Sequence, residues 1–453
     1  MSLYVFALDG ASYNLVERWI DEDRLPALKE IKESGRFGPL QSTFPPLTGP
    51  AWSSFQTGVN PGKHGIYNWL DVKKSPQGKL VNFSSIGSEN IIRKEGGKVG
   101  SISVPMTYPP PTGLNGFVIP GFLTPSKGKR KSYPGNLAKD LMKKVPKFRY
   151  SPRPYIHETS KEEWVDHLVE VIRARGKAAR YLFSDFSEGT KKELFVVHFF
   201  STDMVQHFLW PRNGDNMDHI LHIFKKVDRE IEKLMDKAPA NSTFMVMSDH
   251  GFGKLDHLFH VNSWLRKEGY LKLKNKLNAK TKSLFANFGF NQHRLKPLGE
   301  FLYPIGKKLN IVDWNILNLT INDFLNSIFL SPDDVDWNRT VAYSRSNVGH
   351  VRLNLEGCKN MGFDDEEKRL GLRNDIMDKL SKLKNPRTGN KFSSWVKPRE
   401  QVYNGSQLKR APDILFDPLP EKTLGYGAAM FLSPRNFTSS FRPGHHRRDG
   451  ILM

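Results

Sequence analysis

Residues 3–9, LYVFALD, place a short apolar, strand-like run directly before an aspartate, and the arrangement returns twice: LFVVHFFST (194–202) precedes Asp203 and FMVMS (244–248) precedes Asp249. Open α/β sheets bind ligands outside the carboxyl ends of their strands, so three carboxylates at three such ends would converge on one crevice despite their separation in sequence. One aspartate after a strand is ordinarily a turn residue or the cap of the next helix. Here two of the three bring a histidine, His207 four residues after Asp203 and His250 directly after Asp249, and His446 lies near the end of the chain. Such a set has the composition of a two-metal site.

Working outward from these ends, further strand-like runs occur at VGSISV (99–104) and FVIP (117–120). Amphipathic helical patterns cover 161–183 and 217–235, and a helix from Leu15 to Ile31 is interrupted near Pro26. Strands alternating with amphipathic helices indicate an α/β fold with a mainly parallel central sheet. The rhythm breaks over residues 272–330, which are rich in Lys, Leu, Phe and Asn; this stretch reads as a small basic helical insertion, by preference an ordinary solvated helical pair, with a cap over the site or a patch for an acidic membrane surface as the alternatives. Strands resume at TVAYSR (340–345) and HVRLNL (350–355), followed by a helix around Glu366 to Leu383 and a strand at DILF (413–416). The domain reading is therefore one catalytic unit, 1–271 plus 331–453, with 272–330 inserted.

A chain of 453 residues with 38% hydrophobic content buries a substantial core, and its one cysteine, Cys358, excludes an intrachain disulfide and a cysteine-type zinc site. The first residues lack the basic and long apolar segments of a signal peptide, no later run is long enough to span a bilayer, and a cytoplasmic location is expected. The net charge of +21 favours anionic partners. It is compatible with nucleic acid, but zinc-finger spacing, RNP-like aromatic motifs and heptads are missing, so no specific nucleic-acid motif supports that partner. A basic field serves a phosphate-ester substrate equally well.

The nucleophile candidate is Thr48 in FPPLTGPAWSSFQTGVNPGKHGI (44–66). Pro50 suits the first turn of a helix and Gly58 its end, which puts Thr48 just before a helix N-terminus, where unpaired amides and the helix dipole favour an alkoxide and a facing phosphate. The ordered set Asp9, Thr48, Asp203 with His207, Asp249 with His250, and His446, together with TGPAWSSFQTGVNPGKHGI, MVMSDHGFG, NPRTGNKFSSWVKPREQVYNG, APDILF and GHHRRDGIL, resembles the type I phosphodiesterase and nucleotide pyrophosphatase family of the alkaline phosphatase superfamily. The resemblance spans nearly the whole chain except the basic insertion. It implies an alkaline-phosphatase-like three-layer sandwich and hydrolysis of phosphate diesters through a covalent phospho-threonine.

It further implies two divalent ions about 4 Å apart, zinc first and manganese or iron as alternatives. Asp9, Thr48, Asp249 and His250 would surround one, and Asp203, His207 and His446 the other. His445 competes with His446 for the last position; the family pattern sets the ligand directly before the Arg of HRxxGI. Asn68 and His64 are substrate-contact candidates, although the family's asparagine falls one position later, where this chain has Trp69. The same superfamily also includes phosphomonoesterases and phosphonate hydrolases, and a non-catalytic anion-binding protein is the alternative from another class. Gly450–Leu452 is expected to form a strand that anchors His446.

Overall fold

The computed structural model describes residues 2–71, 79–91, 97–125, 130–153, 160–184, 193–212, 217–275, 330, 332–346, 348–386, 389–418, 424–426, 436–440 and 442–453. The insertion expected over 272–330 therefore lies mostly outside the described residues. Its flanks meet: Leu273 bridges Val335, the Lys274 amide donates to the Asp334 carbonyl at 2.8 Å, and the Asp336 amide donates to the Lys272 carbonyl at 2.9 Å.

The central sheet is built from β1 (Ser2–Leu8), β2 (Gly38–Gln41), β3 (Lys98–Ile102), β4 (Gly116–Ile119), β5 (Glu193–Phe199), β6 (Ser242–Met247) and a strand near the end of the chain, Asp449–Leu452. Its order is β2, Asp449–Leu452, β6, β1, β5, β3, β4. The pairs β6–β1, β1–β5, β5–β3 and β3–β4 are parallel, and the late strand runs antiparallel to both its neighbours. This is the mainly parallel sheet the alternating pattern predicts.

Period-two alternation in β1 supplies both faces of the sheet. Tyr4, Phe6 and Leu8 enter the larger core, shared with α1 (Tyr13–Asp21), α2 (Pro26–Ser34), and the helices Lys161–Ser184 and Asp218–Met235. Val5 and Ala7 face the other way and pack with Trp52 of α3 (Thr48–Thr57). Helices on both faces of one sheet make the three-layer arrangement. The interruption near Pro26 is real, since that residue occupies the first turn of α2, where a missing amide proton costs nothing. Leu25 cannot cap that helix, and the carboxylate of Asp228 does so from across the core, accepting from the Ala27 and Leu28 amides at 3.2 and 2.9 Å.

A second core lies around a smaller antiparallel sheet in the order Ala342–Tyr343, His350–Leu353, Ile414–Pro418, Ser393–Pro398, with Phe259, Trp264, Phe392 and Phe416 at its centre. Its loops reach back to the main sheet, where Val348 packs on Leu47 beside Thr48. Among the described residues no helix is long and apolar enough to cross a membrane.

Gly450–Leu452 forms the anchoring strand expected from the sequence: it joins β2 and β6, with Ile451 fully buried. Ile451→Ala should lower unfolding stability in urea by about 2–5 kcal/mol, the range for emptying a buried aliphatic site. A loss under ~0.5 kcal/mol would contradict the packing described for this strand.

Candidate metal centre

The three strands that end in aspartates are neighbours, β6, β1 and β5. Leu8 pairs with Phe199 and Ala7 with Met247, so the three chains leave the sheet at one level. Asp9 follows β1 directly. Asp203 lies in the first turn of a helix, Ser201–Leu209, and His207 in its last turn, four residues on and hence on the same face. Asp249 and His250 occupy the gap between β6 and β7 (Gly251–Lys254), which frees both side chains from strand alternation. His446 arrives on the strand Gly444–Arg447, which pairs antiparallel with β7 and sets His446 opposite Phe252.

Gly444 allows that strand to lie against the helix carrying His207: a Cβ there would sit 2.2 Å from the Gln206 carbonyl oxygen. The result is direct approach of ring nitrogens, with Nε2 of His207 and Nε2 of His446 2.9 Å apart. Asp203 Oδ1 is 3.2 Å from His446 Nε2 and 3.5 Å from His207 Nε2. On the other side, His250 Nε2 lies 3.3 Å from Asp249 Oδ2, 3.6 Å from Asp9 Oδ1 and 3.5 Å from Thr48 Oγ1. Two sets of candidate ligand atoms therefore adjoin, Asp9 with Asp249 and His250, and Asp203 with His250 and His446, each within 4.8 Å. His250 stands between them, its ring stacked on His446 with centroids 3.7 Å apart.

Electrostatically this cluster is costly without a cation. Burial holds Asp203 and Asp249 up at about 6, and it raises Asp9 well above the usual carboxylate range, with the charges of Asp249 and Asp203 adding to the shift. Desolvation depresses the histidines, His446 to about 3 and His207 well below its ordinary value, so the rings are neutral. Their tautomers follow from backbone acceptors. His207 Nδ1 meets the Gly444 carbonyl at 3.2 Å, His250 Nδ1 that of Gly251 at 3.0 Å, and His446 Nδ1 that of Pro46 at 2.9 Å. Each Nδ1 must carry the proton, and each Nε2 turns a lone pair inward.

Two lone pairs face each other across 2.9 Å. One oxygen each of Asp9, Asp203 and Asp249 is buried without a hydrogen-bond partner among the described residues. Inward lone pairs and orphaned carboxylate oxygens are the donors a divalent cation takes, and mixed imidazole and carboxylate sets suit zinc, with manganese or iron accommodated by the same atoms. The residues present fit the implied metals.

Two contributors escaped sequence reasoning. His198 Nε2 donates to Asp9 Oδ2 at 2.8 Å, and Trp52 Nε1 reaches the same oxygen at 3.4 Å. They fix the carboxylate and leave its other oxygen for the cluster. His198 is the register partner of Ala7, and Trp52 lies four residues after Thr48 on α3. The available signal was a lone histidine inside the apolar run LFVVHFF. The substrate-contact candidates already have partners within the protein: His64 Nε2 is 2.9 Å from Ser54 Oγ while its Nδ1 accepts from the Ile66 amide, and burial lowers it to about 4. Asn68 accepts from the Trp69 amide within its own turn and donates to the distant Arg345 carbonyl, so both ends of its amide are engaged within the protein.

The model of the type I phosphodiesterase / nucleotide pyrophosphatase family matches residues 3–430. A search of curated proteins finds no match. Among solved structures, phosphonoacetate hydrolase from Sinorhizobium meliloti 1021 in complex with phosphonoformate is similar, at 14% identity and a TM-score of 0.56, covering 100% of this chain and 89% of that one. Alkaline phosphatase PafA is similar at 13% identity and a TM-score of 0.52, covering 99% of this chain and 90% of that one. At such identities the likeness establishes the fold, while the family match assigns the reaction class. The chain belongs to the type I phosphodiesterase / nucleotide pyrophosphatase family and is a hydrolytic enzyme of phosphoester chemistry.

Proposed function

We propose that this chain hydrolyses phosphate diesters with Thr48 as nucleophile, and that Asp9, Thr48, Asp249 and His250 hold one divalent cation while Asp203, His207 and His446 hold a second. The observation that carries this reading is the trio of buried carboxylate oxygens without partners beside inward-facing Nε2 atoms. When bound, the metals supply positive charge that acidifies a hydroxyl and stabilises a departing oxygen.

The chain's own groups do the rest. Thr48 begins α3, so its Oγ1 and an incoming phosphate share the positive end of that helix. It is 4% exposed, which limits water at the attacking atom. In the first step the Thr48 oxygen forms a bond to phosphorus as the bond from phosphorus to the leaving oxygen breaks, and the released alcohol takes up a proton. In the second, water cleaves the phospho-threonine and restores the hydroxyl. His198 and Trp52 keep Asp9 oriented throughout. Zinc suits the donor set, and the substrate is an anionic phosphate ester drawn by a chain of net charge +21.

Thr48→Ala should reduce hydrolysis of bis(p-nitrophenyl) phosphate by the metal-loaded protein on the order of 10³-fold or more, as expected when a nucleophile is removed. Unchanged turnover would reject the covalent route. In a panel with a monoester and a phosphonate, preferential turnover of either, lost in the same variant, would move the assignment to that leaving group; inactivity on all three would favour a non-catalytic anion-binding protein.

A pH dependence follows from the buried carboxyls. Asp203 and Asp249 ionise near 6 in the fold against 3.8 for an ordinary aspartate. Between those values the unfolded chain gives up these protons first, so the metal-free fold loses stability as the pH rises through about 6. A cation relieves that penalty above the window and competes with protons inside it, whereas the neutral histidines offer no proton competition. The Tm gain on adding zinc chloride should therefore be larger at pH 7.5 than at pH 5. Equal gains in thermal unfolding scans would contradict this account of the site.

A further inference from the structure

A second region gathers charge without using it for the fold. On the solvent side of the helical layer a groove of about 720 Å³ runs between the helices Lys161–Ser184 and Asp218–Met235, bordered at one end by Val145–Lys147. The helices are pinned together at Gly176, where a Cβ would come within 2.0 Å of the Glu230 carboxylate. That contact lets Glu230 pair with Arg180 and with Lys233, the latter at 2.8 Å. Glu170 is taken by Lys147 at 2.5 Å.

With those carboxylates neutralised, Arg173 and Lys177 on one helix face Lys226 and Arg229 on the other, along this groove and the smaller one that continues it. None of these four has an ion pair or hydrogen bond among the described residues, and Asp166 is the one lining acid left to offset them. Arg173 and Lys177 are four residues apart, and Lys226 and Arg229 three, so each pair stands on one face of its helix, one turn apart. The floor is apolar, with Val145, Val169 and Ala174 all buried.

Unpaired like charges on two rigid helices repel one another, and a cleft lined by one sign of charge focuses field and concentrates counter-ions. The volume falls in the range of sites for small ligands. Lysine and arginine are the standard partners of phosphate oxygens, arginine through two parallel donors and lysine as a point charge. We propose that this groove is a binding site for a ligand carrying two or more phosphate groups, held between Arg173 and Lys177 on one side and Lys226 and Arg229 on the other, with an uncharged portion resting on the apolar floor. The site is separate from the Thr48 cluster: it is formed on the outer surface of the helices whose inner faces pack on the sheet. The proposal does not depend on which ester the enzyme hydrolyses.

Two probes separate the sources of such a ligand, inorganic tripolyphosphate for a free anion and vesicles containing a phosphorylated phosphoinositide for a membrane headgroup. Each is offered to the metal-loaded full chain carrying Thr48→Ala, so that turnover does not consume the anion, and to the same chain with Arg173→Glu and Lys226→Glu added. Titration calorimetry and vesicle co-sedimentation read binding. The expected result is retention of at least one probe by the first protein and a loss of ~10-fold or more in affinity in the second, a difference of about 1.4 kcal/mol. Which probe is retained identifies the source. If the charge-reversed protein fails to fold, Arg173→Gln with Lys226→Gln serves, with a smaller loss in the same direction. Binding of neither probe, or equal binding with and without the groove substitutions, overturns the proposal. Because Arg173 and Lys226 lie outside the Thr48 cluster, the same substitutions in the chain that retains Thr48 should leave turnover of bis(p-nitrophenyl) phosphate unchanged.

Discussion

Three carboxylates buried at the ends of three adjacent strands are the constraint around which this molecule is organised. Candidate ligand oxygens of Asp9 and Asp249 lie within 4.8 Å of each other, where two like charges repel by roughly 3–4 kcal/mol at an effective dielectric of about 20. Desolvation adds to that cost, which is why the pKa of all three is raised. The surrounding histidines cannot offset it, since burial keeps them neutral and their backbone partners turn lone pairs, not protons, inward. A cation is the group that satisfies both the oxygens and the nitrogens.

Much of the remaining architecture serves to hold those groups in place. The strand Asp449–Leu452 is antiparallel in an otherwise co-directional sheet, and it fixes the end of the segment that brings His446 to His207. Gly444 permits the close approach on one side of the cluster, and His198 with Trp52 orients Asp9 on another. Pro46 contributes a carbonyl to His446 two residues before Thr48, so the segment that positions Thr48 also sets the tautomer of His446. Thr48 and the cluster are thereby built as one unit.

The strand ends were legible because an apolar run followed by an aspartate is a local pattern, and adjacency of β6, β1 and β5 turns that pattern into one crevice. The helix ending before Gly58 was equally readable from Pro50 and Gly58, but it starts one step earlier than expected: Thr48 is its first residue and Leu47 its cap position, where the sequence set Thr48 just before the helix. His198 was not, because its role depends on register between strands nearly two hundred residues apart, which periodicity does not encode. The position of His250 between both ligand sets was hidden for a similar reason: sequence order assigns it to its neighbour Asp249, whereas the stacking on His446 is a property of the folded chain. Asn68 and His64 are mixed cases: their contacts to the Trp69 and Ile66 amides are local turn contacts, whereas the reach of Asn68 to the Arg345 carbonyl exists only in the folded chain. The basic surface was visible only as net charge until two helices brought Arg173, Lys177, Lys226 and Arg229 to facing walls.

Anomalous diffraction from crystals soaked in zinc would show whether the buried carboxylates hold the two cations proposed for them. Two peaks are expected, one within about 2.0–2.2 Å of oxygens of Asp9 and Asp249 and a nitrogen of His250, the other equally near Asp203, His207 and His446. A single peak, or peaks away from these atoms while the cluster keeps its geometry, would contradict that proposal.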